Sequence, residues 1–194
     1  EHLMSLINDL LDLSKVEAGK LDLDKDVNAY LDFRIPPFEG KPITLRHIMT
    51  HTAGFEESIR YLISNDPKAA MPLKKQMPLA LPERVFAPGT PPAYSNYATA
   101  LAGYIVERVS GEDFDSYVEN HIFKPLGMDH ATFRQPLPKA LAADMAGGYP
   151  DITQKARPFE MVIPAPAGSL SASGTDMGKF MMAHLKDGAG LLRP

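Results

Sequence analysis

His47 and His51 lie four residues apart in a stretch that reads as a short helix begun by Thr44. Two imidazoles at that spacing can share a helix face and bind a metal ion. No glutamate follows His47, so the zinc-peptidase pattern is absent, and no metal site is expected. Asp22, Asp24 and Asp26 imitate the start of a calcium loop, but its sixth position is Val27 and its twelfth Phe33. Such a loop needs glycine and glutamate there. His2 and Ser5 sit one helical turn apart and could share a hydrogen bond. Nothing supplies the third group that would activate the serine. Tyr94, Ser95 and Asn96 follow the turn-forming run Pro88-Gly89-Thr90-Pro91-Pro92. Spacing alone favours a packed aromatic at Tyr94, a loop hydroxyl at Ser95 and a helix N-cap at Asn96.

The elements that must position these residues are mostly helical. Leu3, Leu6, Leu10 and Leu13 are spaced 3-4-3, with Met4, Ile7 and Leu11 widening the stripe, and Gly19 closes that helix. Thr44 caps a helix through Leu45, Ile48 and Met49. Residues 56–93 carry seven prolines among short helical pieces and predict an irregular surface region. The pattern from Asn96 to Val109 is the clearest internal helix: Leu101, Tyr104, Ile105 and Val109 share a face and Ser110-Gly111 ends it. A second helix follows, with Phe114, Tyr117, Val118 and Ile122 inward and Pro125 as its stop. Residues 137–166 read as loop with a short strand near Met161 to Ile163. Ser173 to Asp176 resembles a capping box for a last helix. Met177, Phe180, Met181, His184 and Leu185 are expected to pack inward there, with Met182 as further core filler and Gly188 as the end.

Composition narrows the function classes. The chain has 194 residues, 44% hydrophobic and 23% charged, enough to bury a core. A formal net charge of −4 gives no reason to expect nucleic acid as a partner. No apolar run is long enough for a membrane span. There is no cysteine, which excludes disulfides and thiolate chemistry. The first residue is Glu1 and the last four are Leu191-Leu192-Arg193-Pro194. The expectation is a segment of something longer, or a processed or engineered chain.

Five blocks, in order, resemble the serine hydrolases of the β-lactamase and penicillin-binding-protein superfamily, over about residues 19–194. They are GKLDLDKDVNAYL after Ala18, ITLRHIMTHTAGF from Ile43 to Phe55, and Pro88-Gly89-Thr90 leading into Tyr94-Ser95-Asn96. SGEDFDSYVENHIFKPLGM from Ser110 to Met128 and Ala167-Gly168-Ser169 with Ser173 to Phe180 complete the set. The class C β-lactamase, DD-peptidase and esterase branches share these features. The resemblance implies acyl transfer through a serine ester, from a β-lactam, a D-Ala-D-Ala peptide or a small ester, with no cofactor. It makes Tyr94 the catalytic acid/base candidate and Asn96 the substrate-orienting one. It makes His47 and His51 structural residues of their block.

The same resemblance exposes what this sequence lacks. No Ser-x-x-Lys occurs in it, and by offset from Gly19 the motif would fall at His2 to Ser5. Lys-Thr-Gly is absent as well; Lys186-Asp187-Gly188 reads as a helix end. Residues 1–23 instead resemble the second helix of a histidine kinase dimerisation domain, without its phosphoacceptor histidine. The expected organisation is an amphipathic helix over 1–19 in the nucleophile-helix position, then a β-lactamase-like helical region over 20–194. The expected fold class is mainly α with loops and little sheet, the helical portion of the β-lactamase/transpeptidase-like α/β fold. With both motifs absent, the segment as written is expected to lack acyl-enzyme chemistry. Two other readings stand beside it: an assembly module, homodimeric through the leucine seam, and a catalytically dead homologue that keeps its pocket.

Overall fold

A computed structural model describes residues 21–186 and 191. The leucine seam, Gly19, His2, Ser5 and Gly188 lie outside those residues. The helices are α1 (Leu45–Met49), α2 (Leu73–Leu79), α3 (Asn96–Ser110), α4 (Phe114–Val118), α5 (Lys124–Leu126), α6 (Lys139–Ala142), α7 (Ala165–Gly168) and α8 (Gly174–Leu185). The sheet described is a single antiparallel pair, β1 (Ile63–Ser64) with β2 (Met161–Val162), Ile63 opposite Val162. Among the described residues no helix is long and apolar enough to cross a membrane.

α3 is the axis of the molecule. Every residue from Ala98 to Val106 is buried, not just one face. Small side chains make this workable: Ala98, Ala100, Ala102 and Gly103 let α1, α2, α4 and α7 approach closely. At Gly103 an added Cβ would lie 2.2 Å from Pro166 Cγ of α7. The helix begins at Ser95, whose hydroxyl accepts from the Ala98 amide, and ends at Gly111 in the left-handed region, φ 79°. Inside it, Tyr104 donates to Asp32 Oδ1 at 2.7 Å and fastens the early loop to the core.

Local signals placed most other ends. Thr44 and His47 form a reciprocal capping box on α1. Asp113 caps α4 and Ser173 caps α8. Three expectations need correction. Pro125 does not stop the second helix: a wide five-residue turn, Glu119–Phe123, carries the chain into α5, and Gly127 at φ 65° ends it. The wide turn changes the hydrogen-bond register ahead of the ring, which removes the clash an α-helical proline would meet. On α8 only Asp176, Phe180 and Ala183 are buried, with Met177 against the core. Met181, Met182, His184 and Leu185 are exposed, because the core covers a narrow stripe of this helix. The region 56–93 holds α2 as one of its expected short helical pieces, but it is not all surface: Leu73, Gln76 and Met77 are buried.

The acidic run near the start is structural. Asp24 makes a bidentate pair with Arg46 at 2.7 and 2.8 Å. Asp26 accepts from the Asn28 amide and starts the 3-10 turn Val27–Ala29.

Candidate active site

Three successive turns bring the site together. After α1 the chain reverses through His51 at φ 53° and Gly54 at φ 79°. His51 therefore lies beyond the helix, so the two histidines do not share a helix face. The proline-rich segment then docks along this turn: Gly89 N donates to Thr52 O at 2.9 Å and Ala93 N to His51 O at 2.8 Å. That docking sets Tyr94 over His51, with ring centroids 4.8 Å apart. α3 starts immediately afterwards.

Ser95 points inward and is 2% exposed. Its hydroxyl caps α3, accepting from Ala98 N at 3.1 Å, and is no nucleophile. Its amide donates to His51 Nδ1 at 3.3 Å. A ring nitrogen that accepts from an amide carries no proton, so neutral His51 holds its proton on Nε2. Burial pushes the His51 pKa down, with Glu57 opposing it, which favours that neutral form.

Tyr94 and Asn96 are in contact at the start of α3, and both are tied to a carboxylate the sequence reading missed, Glu57. Tyr94 is 54% exposed. Its hydroxyl donates to Asn96 Oδ1 at 3.0 Å. Asn96 in turn gives Nδ2–H to Glu57 Oε1 at 2.8 Å and its backbone N–H to Glu57 Oε2 at 3.0 Å. A carboxylate can only accept, so Glu57 fixes which way the Asn96 amide faces. With Nδ2 held by Glu57, Oδ1 must face Tyr94, and the phenol must be the donor. Asn96 is the first residue of α3 and Ser95 its cap, the reverse of the N-cap reading. The helix N-terminus also favours the negative charge of Glu57.

The electrostatics follow. Burial raises the Tyr94 pKa, and the Glu57 charge raises it further. At neutral pH the group is a phenol, able to donate a hydrogen bond or a proton. Glu57 shows no sequence signal of its own; it stands two residues past the Ile43–Phe55 block and 39 positions from Asn96. Replacing Glu57 with glutamine removes the charge, so the Tyr94 phenol should then titrate at lower pH. Ultraviolet titration of the two proteins, each compared with its Tyr94→Phe counterpart, reads this; a rise or no change would refute the coupling.

Among the described residues no group of three or more His, Asp or Glu side chains is arranged to hold a metal ion. His47 Nδ1 is taken up by the Thr44 amide.

The Beta-lactamase family model matches residues 10–194. A Bacillus subtilis (strain 168) protein named as a penicillin-binding protein, PbpX, is 34% identical over 179 residues, 86% of this chain and 41% of that protein. The solved penicillin binding protein from Bacillus halodurans superposes with a TM-score of 0.70 at 27% identity, covering 97% of this chain and 58% of that one. A class C beta-lactamase solved in complex with cefoxitin gives a TM-score of 0.76 at 23% identity, covering 97% of this chain and 50% of that one. The chain thus spans less than half the length of the Bacillus subtilis relative.

Proposed function

Because this chain belongs to the beta-lactamase family, we propose that it forms the helical, ligand-orienting portion of a beta-lactamase-like acyl site. The ligand class is a β-lactam, a D-Ala-D-Ala peptide or a small ester. Tyr94 is the proton-donating residue and Asn96 the residue that orients the acyl group. The observation that carries this reading is the Tyr94–Asn96–Glu57 chain at the start of α3, with the phenol exposed beside a fixed amide. A family whose relatives are named for penicillin binding and D-alanyl-D-alanine carboxypeptidase activity supports the ligand class.

The proposal separates binding from turnover. Acyl transfer needs a nucleophile activated by a neighbouring base and donors aimed at the developing oxyanion. Ser-x-x-Lys and Lys-Thr-Gly are both missing from the 194 residues. The second hydrogen on Asn96 Nδ2 and the lone pairs of Tyr94 can hold an acyl carbonyl and an amide, but neither group can form the ester. The 194-residue chain is therefore a binder without turnover.

Benzylpenicillin should bind saturably and reversibly by calorimetry, leave no acyl adduct in the mass spectrum, and bind about tenfold more weakly to Asn96→Ala. Hydrolysis of nitrocefin or a p-nitrophenyl ester at an ordinary enzymatic rate, abolished by Tyr94→Phe, would overturn the inactive assignment. Failure of every β-lactam and D-Ala-D-Ala peptide to bind would overturn the site itself.

A further inference from the structure

Asn96 lines a hollow of about 20 Å³ between α2, the start of α3 and the loop that carries Ser58, Arg60 and Tyr61. That space takes one small polar group rather than a whole ligand. The loop closes as a tight turn, with Leu62 N donating to Ile59 O at 3.1 Å. Tyr61, third in the turn, stands at φ 58°. Glycine or asparagine is usual at such a place, and a bulky aromatic there is held by its surroundings against a backbone cost. The restraint is visible: the buried Gln76 amide of α2 donates to the Tyr61 carbonyl at 3.0 Å.

That backbone sets the Tyr61 ring beneath a cation. The Arg60 guanidinium lies 4.9 Å from the ring centroid, and its Nη2 donates to the Tyr61 hydroxyl at 3.2 Å. The Arg60 amide donates to Ser58 Oγ at 3.2 Å. Both hydroxyls therefore act as acceptors toward Arg60, and each keeps its own hydrogen to give elsewhere. Arg46, Arg108 and Arg134 each face a carboxylate, whereas Arg60 makes no ion pair among the described residues. Glu57, the carboxylate nearest to it in sequence, gives both oxygens to Asn96, at 2.8 and 3.0 Å.

We propose that Arg60, steadied by Tyr61, selects ligands that carry a carboxylate on their acyl half, the half that Asn96 orients. This rests on the acyl-site reading of Tyr94 and Asn96. The free groups around the hollow are a guanidinium and two hydroxyls, all donors, and an acceptor-only anion answers each of them. A second cation would be repelled, and an apolar substituent would leave the guanidinium unanswered. Arg60 thereby divides the ligand class: a penicillin with an acidic side chain, or a peptide with an acidic residue before its D-Ala-D-Ala end, gains a contact that a simple ester lacks.

Two penicillins isolate the contact. Carbenicillin differs from benzylpenicillin by one carboxylate on the side-chain α-carbon. Calorimetry with the 194-residue chain at pH 7.5 should show carbenicillin binding about fivefold more tightly. The preference should shrink on raising salt from about 0.05 to about 0.5 M, because the pair is exposed. Arg60→Gln should abolish the preference and leave benzylpenicillin affinity unchanged. Tyr61→Asn, which suits the left-handed backbone, should fold as well by thermal melt and still lose most of the preference. Equal affinities for the two penicillins, with Asn96→Ala still weakening both, would overturn this selection and leave the acyl-site reading standing. A preference that survives Arg60→Gln would also overturn it. Failure of both penicillins to bind would remove the acyl-site reading and the selection with it.

Discussion

Gly54→Ala should destabilise the fold by about 3 kcal/mol and disconnect Glu57 from Asn96. Gly54 stands at φ 79°, a conformation that costs an L-residue about 1 kcal/mol. An added Cβ would also lie 2.1 Å from the Phe86 carbonyl oxygen and 2.9 Å from its carbon. Those are backbone atoms, so no rotamer change relieves the contact, and overpacking of this kind costs about 1–3 kcal/mol. The strand-like pairing here cannot easily slide: Val85 N donates to Gly54 O at 2.8 Å and Glu56 N to Glu83 O at 2.9 Å. This pairing holds the next residue, Glu57, within reach of α3. Gly40→Ala is the control, since Gly40 has φ 76° but nothing within 4 Å of an added Cβ. Urea denaturation should show a loss for Gly54→Ala roughly three times that for Gly40→Ala. Equal losses would mean that the Phe86 contact is not limiting.

Asp176→Ala should cost a similar amount, about 3 kcal/mol, by a different route. Asp176 is 1% exposed and ties α8 to the turn after α5. Its Oδ2 accepts from His130 N at 2.7 Å and its Oδ1 from Lys179 Nζ at 3.0 Å. Lys179 also donates to Gly127 O. Truncation leaves the His130 amide without its acceptor and the ammonium without its charge partner. The pH dependence has a definite sign. Burial pushes the Asp176 carboxyl up, but Lys179 and the His130 amide outweigh it and hold the pKa below the ordinary value. Its stabilisation is complete above the unfolded pKa of about 4 and is lost as pH falls through the lower folded value. The gap between wild type and Asp176→Ala should therefore stay constant from neutral pH to about 5 and close below about 4. Urea denaturation across that range measures it; a gap that widens on acidification would contradict the assignment.

Much of this was legible before any coordinates. Thr44 and Ser173 start helices in the positions their hydroxyl chemistry favours, and Gly111 ends one. These signals work because a cap acts on amides two or three residues away. The Pro125 expectation failed because the turn that accommodates the ring is set by packing of Ile122 and Phe123, both buried, and not by proline alone. Met181 and Leu185 failed because an apolar helical stripe says nothing about how wide the facing core is.

The candidate site divides the same way. Tyr94 and Asn96 could be named as candidates only from the family resemblance, because spacing alone favoured a packed aromatic and a helix N-cap. Glu57 could not, because its contact with Asn96 spans 39 residues and exists only when the His51–Gly54 turn and α3 are docked. The Asp32–Tyr104 tie spans 72 residues for the same reason. The sequence by itself determined several helix ends and the order of the family blocks, both matters of residue type and spacing along the chain. Tertiary structure alone decided which carboxylate orients the Asn96 amide and which histidine supports the Tyr94 ring above it. Those pairings are made between segments remote in sequence, where closeness depends on how several elements pack at once.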